Sequence, residues 1–150
     1  MHVIKSQRGI GLLELMLSLA IIAILLVMAT RYFGSARQGQ QVAQAISMVQ
    51  AISAASQNYF VANSNSMAGV SAILASGNSY LVNPPKNGPW GGSVKVSADS
   101  GNASAVDITI PNVPDAAACT SLMSALGTES AQNAKAPSCA PGAAGFSGGF

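Results

Sequence analysis

Arg8-Gly9-Ile10-Gly11-Leu12-Leu13-Glu14 is the stretch on which the reading of this chain turns. A cation and a glycine stand directly before an apolar run, Ile10 to Ala29. At ~1.5 Å per residue, its roughly twenty residues cross the ~30 Å hydrocarbon core of a bilayer. The run holds one charge, Glu14, five residues after Gly9. An acid at the centre of a membrane helix costs roughly 2.5–3.5 kcal/mol, and less near the interface. No side chain between Gly9 and Thr30 offers a compensating cation. Cleavage after Gly9 would create one, the α-amino group of Ile10, in the same subunit or in a neighbouring one.

Three readings of the run compete. In a secretory signal, Lys5 and Arg8 would form the basic region and Val27-Met28-Ala29 the small-residue cleavage site. A plain single-span anchor needs only the length. In the third, Lys5 and Arg8 hold a leader on the inner side and cleavage falls after Gly9. Glu14 separates them. A secretory core gains nothing from an acid and usually runs about 7–15 residues; a plain anchor would carry Leu or Ala there. Only the third reading gives the carboxylate a partner.

The combination of basic leader, Gly9, Glu14 as fifth residue after the cut and a long apolar helix resembles the type IV pilin family. The resemblance implies cleavage after Gly9 by a prepilin peptidase, N-methylation of Ile10, and an assembly role for Glu14. It further implies an inner-membrane assembly platform with a cytoplasmic ATPase, and a homopolymer as the product. Ile10 stands where the type IVa branch has Phe, which points to the type IVb branch and its thin-pilus major pilins. The implied division is a leader over 1–9, a transmembrane and polymerisation segment over 10–33, and a globular pilin domain over 34–150. The implied fold is α+β: a long N-terminal helix on a small antiparallel sheet, with a disulfide-bonded C-terminal region.

Beyond the run, the pattern changes but the helix does not stop. Between Arg31 and Asn63 there is no proline, and apolar residues recur at Val42, Ala45, Ile46, Val49, Ile52, Ala55, Tyr59 and Phe60. That spacing marks one helix face, so a single helix is expected from about Ile10 to Val61. Gly34 and Gly39 mark places where it could bend or pack closely, each costing about 1 kcal/mol relative to Ala.

The remainder must cover that face. A short helix is expected over Met67–Ser76, then a Pro/Gly loop from Asn83 to Gly92. Ser93–Ser97 and Ala105–Ile110 alternate with period two around the turn signal Asp99-Ser100-Gly101-Asn102, a hairpin. Its apolar face should lie on the long helix. Pro114-Asp115 opens a last helix through Ala116–Leu126, stopped by Gly127, and a Gly/Ala/Pro tail follows. Trp90 is expected to fix its loop against the core rather than to serve as a surface anchor.

Composition narrows function. Charged residues are 8% of the 150, and after the leader five cations balance five acids without forming a basic patch. Nucleic-acid binding is therefore not expected. The one histidine, His2, lies in the leader, which removes a Cys/His metal site. Asp99 and Asp107 lack the ligand density of a calcium loop and read as surface solvation. No catalytic constellation or phosphate loop is visible, so no enzyme and no cofactor are expected. In a chain exported across a membrane, Cys119 and Cys139 pair as one disulfide; free thiols would suit a cytosolic chain. The expected function is a structural fibre subunit, held in the inner membrane before assembly at the cell surface for adhesion, aggregation, conjugation or secretion. A minor pilin or pseudopilin of a type II secretion-like system, and a monomeric membrane-anchored binding module, are the alternatives.

Overall fold

The computed structural model describes residues 11–150, which fall into two compact units divided between Arg37 and Gln38. Gly9 and Ile10, with the leader, lie outside the described residues. Helix α1 spans Leu12–Ala62 and so contributes to both units. It is helical through Gly34 and Gly39, and a Cβ on either would meet nothing within 4 Å. Neither glycine therefore serves close packing within the chain.

In the second unit α1 is amphipathic. Val42, Ala45, Val49, Ile52 and Ala55 are buried, with Ile46, Tyr59 and Phe60 packed against the core. Ser56, outside that apolar series, is buried with it; its hydroxyl donates to the carbonyl of Ser53 at 2.7 Å, which removes the cost of a dry donor.

The helix rests on a four-stranded antiparallel sheet of order β1-β2-β4-β3. Strands β1 (Lys95–Ala98) and β2 (Val106–Ile110) are the expected hairpin, paired in register with Val96 opposite Ile108. Val96, Val106, Ile108 and Ile110 join Val49 and Ile52 in one core cluster, as the period-two reading required. Helix α2 (Ala116–Leu126) follows, its first turn capped by the carboxylate of Asp115, which accepts from the Ala118 N–H at 2.8 Å. Gly127 ends α2 as expected, in right-handed rather than left-handed conformation.

Two elements differ from the sequence reading. Met67–Ser76 is not an α-helix but a short 3₁₀ segment, Val70–Leu74. Left-handed Gly69 before it and extended Ala75 after it leave no room to propagate, and the Asn78 side chain binds the Ile73 and Ala75 carbonyls. The supposed tail holds strands β3 (Ser138–Ala140) and β4 (Gly145–Gly149), which complete the sheet. Strand β4 reads Gly-Phe-Ser-Gly-Gly, a sequence without a strand pattern. Its glycines are required by space: a Cβ on Gly149 would lie 2.6 Å from Ala134 Cβ and 2.9 Å from Asp99 Oδ2. Phe146 supplies the burial, being wholly inaccessible at the centre of the core.

Candidate functional site

The first unit inverts the usual relation of sequence to burial. All described residues through Arg37 are exposed, although the helix there is long and apolar enough to cross a membrane. Leu13 is 81% exposed and even the least exposed of the large apolar side chains, Leu15, is 51% exposed. Apolar surface of that extent is not stable in water and needs lipid or protein around it. The local chemistry suits a dry environment. Ser18 donates its hydroxyl to the Leu15 carbonyl at 2.9 Å and Thr30 to the Val27 carbonyl at 3.0 Å, so neither hydroxyl is left unpaired.

Glu14 lies in the first turn of α1, its N–H bonded to the Gly11 carbonyl at 3.0 Å. A negative charge there complements the partial positive charge of the free N–H groups. Among the described residues the one ion pair is Lys135–Asp107 at 3.0 Å, so Glu14 meets no cation within them. At the other end of the apolar segment stand Arg31, Tyr32 and Phe33, an amphipathic group of the kind that sits at a membrane–water interface. The sequence reading passed over this group, although its composition was legible.

The second unit supplies the supports. Cys119 on α2 and Cys139 on β3 are joined by a disulfide, with Cα atoms 5.5 Å apart and a sequence separation of 20. The bridge fixes α2 to the edge of the sheet. Trp90 is half-buried against the core, as expected, with its indole N–H buried and without an acceptor. The reading of Asp99 and Asp107 as solvated surface acids is corrected. Asp99 is 8% exposed and accepts three backbone N–H groups, from Gly101 at 2.7 Å, Asn102 at 2.9 Å and Lys135 at 2.9 Å. Those bonds, the Lys135 N–H foremost, hold its carboxyl below the usual carboxylate range against the opposing effect of burial. Asp107 pairs with the Lys135 ammonium. Both acids thus tie Lys135 to the hairpin, and Asp99, two residues before Gly101, closes its own turn as well. Among the described residues no group of three His, Cys, Asp or Glu side chains could hold a metal ion.

Residues 4–30 match the prokaryotic N-terminal methylation motif, a type IV pilin-like prepilin signal. The motif implies processing by a prepilin peptidase and assembly into a pilus-like fibre. Together with the apolar helix it points to membrane anchoring before assembly. The long helix, the small antiparallel sheet and the Cys119–Cys139 bridge fit the type IV pilin fold. No curated protein and no solved structure matches the chain.

Proposed function

We propose that this protein is the major subunit of a type IV pilus, of the thin-pilus type IVb kind, polymerising through its apolar N-terminal helix. The observation that carries the reading is an apolar helical segment exposed all round, with one acid in its first turn, inside a matched methylation motif. A leader over 1–9 is removed after Gly9 and the new Ile10 amine is methylated. Residues 10–33 serve first as membrane span and then as fibre core, and residues 34–150 form the surface domain. The Ile10 amine of one subunit meets Glu14 of its neighbour, fixing axial register while the apolar helices pack side by side. An inner-membrane platform driven by a cytoplasmic ATPase extracts the subunits.

The test combines N-terminal mass spectrometry with electron microscopy of sheared surface material. Fibres built from a subunit beginning at methylated Ile10, and lost in Gly9→Val with the leader retained, are expected. A mature N-terminus at Thr30 would restore the secretory-signal reading and overturn this one. A processed subunit confined to short membrane-bound assemblies would assign it instead to the minor pilins or pseudopilins.

A further inference from the structure

Arg31 ends the exposed apolar segment without a partner for its charge. Among the described residues the one ion pair is Lys135–Asp107, and the first unit's only acid, Glu14, stands seventeen residues earlier. At 1.5 Å per residue that is ~25 Å along the helix, beyond the reach of the two side chains. Cations flanking a membrane span gather as a rule on the cytoplasmic side, which Lys5 and Arg8 of the leader occupy in this reading. An arginine at the outer end therefore needs a reason of its own.

A groove of about 460 Å³ on α1 supplies one. Ala23, Ile24, Val27, Met28 and Arg31 line it, and at 3.6 residues per turn they fall on one face over successive turns. Its lining is apolar except for Arg31, and Ala23, with a single methyl, gives it depth between longer neighbours. Helical side chains lean toward the N-terminus, so the Arg31 stem lies back over this face. From Ala23 to Arg31 is eight residues, ~12 Å, close to the ~15 Å hydrocarbon depth of one leaflet. A cation at one end of an apolar groove of that length matches an acyl chain topped by a phosphate. Guanidinium presents planar N–H donors that suit phosphate oxygens in pairs. Next to it Tyr32 is 81% exposed, and tyrosine is the kind of side chain that sits at headgroup depth.

We infer that this groove holds an anionic phospholipid of the outer leaflet, one acyl chain along Ala23 to Met28 and its phosphate on Arg31. An anionic lipid fits better than a zwitterionic one, because its phosphate carries no cationic group of its own to compete with the guanidinium. Arg37 lies six residues further on, ~9 Å along the helix and about 120° around it, outside the groove. The inference rests on the reading of residues 10–33 as a membrane span. It gives the lone subunit a fixed height and one lipid-covered face before assembly.

The test reconstitutes the full chain in phosphatidylcholine vesicles holding a trace of photoreactive phosphatidylglycerol or, in parallel, of photoreactive phosphatidylcholine. Partition is measured for each variant, and labelled residues are mapped by mass spectrometry. Label from phosphatidylglycerol should concentrate at Ala23 to Met28 and exceed that from phosphatidylcholine roughly fivefold, the effect of one basic residue on an anionic lipid. Arg31→Gln should abolish that preference, and Arg37→Gln should keep it. Ala23→Leu, which fills the groove and leaves the cation, should lower the label while partition stays unchanged. Equal labelling by the two lipids, or a preference that Arg37→Gln removes as fully as Arg31→Gln, overturns the site and leaves the span standing. Loss of label to added inorganic phosphate would assign Arg31 to a free anion and equally overturn it. A chain that stays out of the vesicles altogether defeats the span reading, and this inference with it.

Discussion

Removing the Asp99 carboxylate should loosen the C-terminal half of the surface domain. Its three N–H partners come from two places distant in sequence, the β1–β2 turn and Lys135 in the disulfide-closed loop. A hydrogen bond to a charged group contributes roughly 1.5–3 kcal/mol. Three such bonds do not add in full here, because Gly101 and Lys135 are exposed and water can reach their N–H groups after the change. We therefore expect Asp99→Ala to cost about 2–4 kcal/mol, and Asp99→Asn somewhat less. Asn keeps an acceptor for the turn but turns an amide donor toward a donor, the Lys135 N–H. Unfolding by urea in detergent, followed by the fluorescence of Trp90, the only tryptophan, measures both.

The pH dependence gives a second handle with a fixed sign. The folded pKa of Asp99 is depressed, so its stabilisation is complete above the unfolded value of ~3.9 and is lost as pH falls through the folded one. The gap between wild type and Asp99→Asn should be widest near neutrality and should close below about pH 4. Equal urea midpoints for the two proteins at pH 7, or a gap that does not narrow in acid, would refute the idea that this carboxylate clasps the loop.

The other predictions follow from packing, the bridge and the anchor. Gly149→Ala should destabilise by about 1–3 kcal/mol, since its methyl would press on Ala134 and the Asp99 carboxylate; an unchanged urea midpoint would show that β4 yields. Cys119→Ser opens a loop with a sequence separation of 20, worth about 3 kcal/mol in the chain-entropy model, and should lower subunit levels and the urea midpoint together. Glu14→Leu should insert and fold its surface domain normally yet form few fibres. Microscopy at matched membrane levels checks this, and normal fibre numbers would remove the acid from assembly.

The helical half of the fold was legible because it rests on local pattern. Val42 to Phe60 announce one face by spacing alone, and that face is buried. The β1–β2 hairpin was legible for the same reason. What escaped was structure set by long-range space. Gly145 to Gly149 form a strand not through propensity but because Asp99, Ala134 and the Ile110–Pro111 backbone leave room for nothing larger. Val70–Leu74 read as helix by periodicity, yet the left-handed Gly69 and the Asn78 side chain confine it to one tight turn. Asp99 was mistaken for a surface acid since its third donor, Lys135, lies 36 residues away. No local window contains that information.

The acid that made the first unit interpretable also separates insertion from assembly. Between Leu12 and Val27 eleven Leu, Ile and Val side chains are exposed along α1. At roughly 0.3–0.6 kcal/mol each, they favour the bilayer by about 3–7 kcal/mol in all. An unpaired Glu14 opposes this by at most about 3.5 kcal/mol, and by less in the first turn, near the interface. Insertion therefore proceeds whether or not the carboxylate finds a partner, so a need to insert does not account for the residue. Pairing within one subunit would only neutralise it and would leave neighbouring helices free to slide, since apolar side chains pack almost equally well at many offsets. Pairing between subunits selects one offset, because every other leaves an acid and an amine uncompensated in a dry environment. Under the function proposed above, the acid is the register mark of the assembly, and its cost to the lone subunit is what makes the mark discriminating.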